Sequence, residues 1–128
     1  KALHMVNVFS RCSLASPSGA GFWVFGAGMA LGRKVLRSNP TVNVFHRGFN
    51  ACNTYVNGEQ AMAQVTCPVL FALGEQDQMT PPKAAQTLVK AAQAAGKAVQ
   101  IRHLPSGHHQ MTEAPEETLA ALRDFLAQ

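Results

Sequence analysis

The sequence predicts an α/β protein with a parallel sheet, and three observations carry that expectation. Val69-Leu70-Phe71-Ala72-Leu73 is a short continuous apolar run between Pro68 and Gly74, the pattern of a strand buried on both faces. Val99 to Leu104 reads as a second strand, separated from the first by a helical stretch. A last helical segment comes after it, so the order strand, helix, strand, helix describes a βαβ unit with a trailing helix.

From the N-terminal end, Ala2 to Ser10 reads as a short helix, and Ser16-Pro17-Ser18-Gly19-Ala20-Gly21 as a loop punctuated by Gly and Pro. Phe22 to Leu36 reads as a helix despite three internal glycines, with Trp23, Phe25, Met29 and Leu31 among its apolar members; Ser38-Asn39-Pro40 stops it. Val42 to Tyr55 resumes a helical pattern for which Asn57-Gly58 serves as C-cap, and Glu59 to Val65 is another short helix. After the first strand, Thr80 is the expected N-cap of a helix that Pro81 and Pro82 open and Gly96 ends. The final helix, Ala114 to Leu126, starts with Pro115-Glu116-Glu117, whose carboxylates suit the positive end of the helix dipole.

Composition limits the function classes. With 128 residues, 47% apolar and 14% charged, the chain has enough apolar material for a core and too little charge for disorder. No run approaches the roughly 20 apolar residues of a membrane helix, and no secretory signal pattern opens the sequence. The chain begins at Lys1 rather than Met, which reads as a partial chain. Net charge is +4, and its tightest basic group, Arg33, Lys34 and Arg37, lacks the interleaved aromatics of a nucleic-acid platform. Cys12, Cys52 and Cys67 are widely spaced, form no C-x-x-C pair and read as buried or half-buried thiols in a reducing, cytoplasmic setting.

In an open parallel sheet, ligands bind beyond the carboxyl ends of the strands. The first strand runs into Gly74-Glu75-Gln76-Asp77-Gln78-Met79-Thr80-Pro81, and the second into Pro105-Ser106-Gly107-His108-His109. Adjacent strands thus bring a carboxylate and an imidazole to one sheet edge, and such a pair fixes the imidazole tautomer and stabilises the imidazolium. Each half has a plainer reading: an Asp that caps a turn, and a solvated loop His. Glu75 is a rival acid and His109 and His103 are rival bases; Asp77 is preferred for its place in the turn, and His108 for the preceding Gly107, which lets the backbone bend tightly. His103, His108 and His109 fit no common metal-ligand spacing, so no metal and no cofactor is expected.

The stretch from Cys67 to Pro81, followed by Gly107-His108 and by Met111-x-Glu113-x-Pro115, resembles the last third of α/β-hydrolase-fold enzymes. The resemblance covers roughly residues 66–127 and implies a partial α/β-hydrolase fold: its last two parallel strands with flanking helices, over 66–128. Residues 1–65 resemble the helical cap that such enzymes insert before the acid-bearing strand, and Cys52, Asn53 and Tyr55 share in that match. Position by position, Asp77 matches the triad acid and His108 the general base. The family order is nucleophile, acid, histidine, with the nucleophile on a G-x-S-x-G elbow. No G-x-S-x-G occurs here, and Ser16-Pro17-Ser18-Gly19-Ala20 lacks the flanking glycines.

The resulting expectation is the C-terminal part of a hydrolase that attacks an ester or similar bond of a small molecule. The cap, with Trp23, Phe22, Phe25 and Met79, would line an apolar pocket. The nucleophile would come from an N-terminal half outside this sequence, so the chain alone would be inactive. The competing expectation is a non-catalytic α/β binding module or subunit fragment.

Overall fold

A computed structural model describes the backbone of residues 20–128, and the side chains within the first helix only from residue 26. The expected helix Ala2 to Ser10, Cys12 and Ser16 to Gly19 lie outside the described residues. Helix α1 spans Ala20–Ser38, so Ala20 and Gly21 belong to the helix and not to the loop before it. Its end is tied by the Asn39 side-chain amide, which donates to the Val35 carbonyl at 2.9 Å; Pro40 has no N–H with which to continue the ladder.

Helix α2 is Val44–Thr54, and the Asn43 side chain accepts from the His46 N–H at 3.0 Å. This N-cap satisfies one of the donors that a helix start leaves orphaned. Helix α3, Gly58–Gln64, begins where the sequence predicts a C-cap. Tyr55, in extended conformation, ends α2, and Gly58 does not take the left-handed φ of a capping glycine. Gly58 instead lets the chain pass close: a Cβ there would sit 3.4 Å from both Leu88 Cδ2 and Tyr55 Cε1.

Strands β1, Val69–Gly74, and β2, Val99–Leu104, pair in parallel with Val69 opposite Val99 and Gly74 opposite Leu104. A 3₁₀ turn, Pro82–Ala85, leads into helix α4, Gln86–Ala94, between them. Thr80 caps neither, because Pro81 holds the cap position and the Thr80 hydroxyl is engaged elsewhere. Gly96 does end α4, at φ 71°, with its own N–H on the Gln93 carbonyl and the Lys97 N–H on the Ala92 carbonyl. That pair of bonds is a Schellman motif, which needs a residue without the Cβ penalty.

The short helix α5, Gln110–Glu113, and helix α6, Pro115–Leu126, complete the chain. The core lies where α4 and α6 meet the strands: Val89 and Ala92 of α4, Leu104 of β2, Ala114, and Ala121 of α6 are buried. The apolar run of β1 is half-buried up to Leu73 and buried only at Gly74, not enclosed on both faces as its composition predicts. With two strands in the sheet among the described residues, each strand has a neighbour along one edge alone.

Candidate active site

The turns after the two strands are laced together by backbone bonds. The Glu75 N–H donates to the Leu104 carbonyl at 2.9 Å and the Gln76 N–H to the Ser106 carbonyl at 3.0 Å, while the Asp77 N–H closes back on the Gly74 carbonyl at 3.2 Å. Contact at Gly74 is so close that a Cβ there would lie 2.3 Å from the Gly107 oxygen and 2.7 Å from that of Ser106. Gly74 is therefore required by the approach of the second turn. Gly107 does not bend the chain through a left-handed φ, which among the described residues only Gly96 adopts; it is buried, with its carbonyl packed over Gly74.

This lacing carries Asp77 and His108, 31 residues apart, into contact. His108 Nδ1 lies 2.8 Å from Asp77 Oδ2, and because an ionised carboxylate can only accept, the ring nitrogen is the donor. The acid side chain is 4% exposed and the imidazole 39%, so a dry carboxylate orients a solvent-accessible ring. Asp77 Oδ1 accepts the N–H groups of Met79 at 2.8 Å and Thr80 at 2.9 Å, and Oδ2 also accepts the Thr80 hydroxyl at 2.9 Å. Burial pushes the Asp77 pKa up, but bonds from the Thr80 N–H, His108, the Thr80 hydroxyl and the Met79 N–H outweigh it and hold the carboxyl below its ordinary value. An ionised acid on Nδ1 leaves Nε2 of the ring to take up a proton.

A cleft of about 250 Å³ opens beside the pair, lined by Ala72, Leu73, Gly74, Asp77, Thr80, His108 and Gln110. It lies at the carboxyl ends of the strands, where an α/β sheet places its ligands. A larger cleft of about 660 Å³, lined in part by Cys67, Pro68, Val99, Phe125 and Leu126, sits at the opposite end and contains neither acid nor imidazole. Its greater size does not make it the better site, because it holds no paired acid and base such as Asp77 and His108.

The rival residues are placed apart from this pair. Glu75 is exposed in the turn, His103 is exposed on β2, and His109 opens α5 with its N–H donating to Glu113 Oε1 at 3.2 Å. The His109 ring stands edge-on to His108 at 6.4 Å. Among the described residues no group of three or more His, Cys, Asp or Glu is arranged to hold a metal. Cys52 and Cys67 are free and exposed, against the expectation of buried thiols, because the one lies on α2, which buries no residue, and the other just before the edge of β1.

Of the expected substrate contacts, Met79 is half-buried close after the acid, and it is not among the residues lining the smaller cleft. Phe22 and Trp23 lie on α1, with side chains outside the described residues, as does that of Phe25. Two residues of the site escape a reading of the sequence. Thr80 reads there as a helix cap, although its spacing of three after an Asp is also that of a residue closing an Asx turn. Gln110 gives no signal: its side-chain amide donates to the Ala72 carbonyl at 3.0 Å, across 38 residues of sequence.

No helix among the described residues is long and apolar enough to cross a membrane. No curated protein and no solved structure matches the chain. Residues 20–124 match the family model described as the dienelactone hydrolase family. The match runs through both strands, the acid turn and the histidine turn, and covers more than half of the sequence, so this chain belongs to the dienelactone hydrolase family, within the α/β-hydrolase superfamily.

Proposed function

We propose that Asp77 and His108 are the acid and the general base of a nucleophile–histidine–acid triad that cleaves an ester or similar bond in a small molecule. One observation carries the reading. A buried carboxylate holds the imidazole through Nδ1 at 2.8 Å, at the carboxyl end of a parallel strand pair and on the wall of a cleft. In that arrangement His108 Nε2 takes the proton from the nucleophile as it attacks and returns it to the leaving group, while Asp77 stabilises the imidazolium between the two steps. The nucleophile and the oxyanion donors come from polypeptide other than these 128 residues, which contain no G-x-S-x-G elbow.

In the same proposal, residues 66–128 are the C-terminal α/β part of the catalytic core, and residues 1–65 form a helical cap whose Trp23 and Phe22, together with Met79, contribute an apolar side to the substrate site. No cofactor takes part. The free, exposed cysteines support a reducing, cytoplasmic setting. The test is His108→Ala in the full-length gene product, with hydrolysis of a p-nitrophenyl ester as readout. Turnover is expected to fall on the order of 10⁴-fold or more, with the circular dichroism spectrum unchanged. Undiminished turnover by a folded variant would remove His108 from the mechanism and overturn the reading.

A further inference from the structure

The Thr80 side chain holds a position between the acid and the base. Its hydroxyl oxygen lies 2.9 Å from Asp77 Oδ2 and 3.1 Å from His108 Nδ1, and those two atoms are themselves 2.8 Å apart. The three polar atoms thus close a triangle, and the chemistry of each restricts the other two. A hydroxyl has one proton to donate and two lone pairs to offer, whereas an ionised carboxylate can only accept. The Thr80 proton therefore goes to Asp77, and its lone pairs are left toward the ring nitrogen.

Nδ1 then faces two acceptors. A protonated Nδ1 satisfies both with a shared bond; a bare Nδ1 would set its lone pair against a buried carboxylate, at the full cost of an unmade bond. Thr80 is able to relieve that conflict only by withdrawing its proton from Asp77, whose side chain is 4% exposed and has little water to replace it.

We propose that Thr80 is a positioning residue: by donating to Asp77 and accepting from His108, its hydroxyl holds the Nδ1–H in line with the carboxylate that keeps Nε2 bare. This rests on the reading of Asp77 and His108 as acid and base, and it extends that pair to a three-residue relay. A purely structural role is separable. The Thr80 N–H also donates to Asp77 Oδ1 at 2.9 Å, and substitution of the side chain by Val, Ser or Ala keeps that backbone bond while removing or retaining the hydroxyl.

The experiment uses ¹⁵N-labelled full-length protein at about pH 8, where imidazoles are neutral and ring-nitrogen shifts distinguish protonated from bare atoms. Wild-type His108 is expected in the Nδ1–H form. T80V, with the same shape and no hydroxyl, is expected to keep the Nδ1–H tautomer, to shift the Nδ1 resonance as the shared bond is lost, and to lose about tenfold in kcat on a p-nitrophenyl ester, with KM within about twofold. T80S is expected to restore both. A wild-type ring carrying its proton on Nε2, or a folded T80V with unchanged Nδ1 resonance and kcat, would overturn the proposal. Should T80V not fold, T80A removes the same hydroxyl and carries the comparison. The two readings also fail separately. Full turnover by H108A removes the catalytic role of the pair while the ring spectrum still reports on Thr80; an inactive H108A beside an unaltered T80V removes Thr80 alone.

Discussion

Asp77 is a residue whose burial opposes its charge and whose neighbours supply the compensation. Burial raises its pKa; four hydrogen bonds, two from backbone N–H groups, one from His108 and one from the Thr80 hydroxyl, lower it further than burial raises it. The folded acid consequently binds a proton less readily than the unfolded one. Stability from these bonds is present above the unfolded carboxylate value of about 3.9 and is lost as pH falls through the depressed folded value. Urea melts from about pH 6 down to about pH 2 should show that loss in the wild type and a shallower dependence in Asp77→Asn; equal slopes would remove Asp77 as the source. The same variant tests the chemistry, since an amide no longer enforces the Nδ1–H tautomer: kcat should fall on the order of 10³–10⁴-fold with the fold intact. Asp77 and His108 are legible in the sequence because each lies in the turn just past a strand-like run. Thr80 is not, since a threonine before two prolines suits a helix start equally well, and only its distance to a residue 28 positions away decides its role.

At the scale of elements, the site depends on how two turns fit together. β1 and β2 run in register, and the backbone beyond them is stitched at Glu75, Gln76 and Ser106. Gly74 makes that fit possible, because a methyl group there would overlap backbone oxygens that no rotamer change can move. Gly74→Ala should therefore cost about 1–3 kcal/mol and displace His108 from Asp77. The checks are the shift of the denaturation midpoint and a fall in kcat larger than the stability loss alone explains; a variant as stable and active as wild type would contradict the packing argument. β1 is readable from its apolar run between Pro68 and Gly74, and so is the glycine stop of α4. The start of α3 at Gly58 is not, because a glycine after Asn57 reads locally as a C-cap, whereas its actual use is closeness to Leu88 on another helix.

Among the described residues the molecule has a thin core and a wide apolar exterior. Its buried apolar residues are small or few, and Ser106 is the largest side chain that is fully enclosed among the described residues. Leu119, Leu122 and Leu126 of α6 are 58%, 42% and 80% exposed, and Ile101 of β2 is 41% exposed. The two-stranded sheet of the described residues also has both outer edges open, apart from the single bond that Gln110 makes to Ala72. Such surfaces favour pairing with other polypeptide. The 128-residue chain on its own should accordingly associate with increasing concentration in sedimentation velocity, and unfold with a broad transition. A sharp, concentration-independent transition of a monomer would show that this core suffices.

By itself the sequence determined the parallel α/β class, both strands to within a residue, the described helices other than the short α5, and the two residues that meet at the sheet edge. These are local properties: apolar runs, glycine and proline stops, and the rule that parallel strands deliver their succeeding turns to one common edge. Only the tertiary structure decided that Gly74 is needed for contact, that Gly107 is not a left-handed bend, that the exposed cysteines lie outside the core, and that the Thr80 hydroxyl lies within hydrogen-bond distance of both Asp77 and His108. Each of those rests on how the folded chain packs and on distances between residues far apart in sequence, which local composition and spacing do not encode.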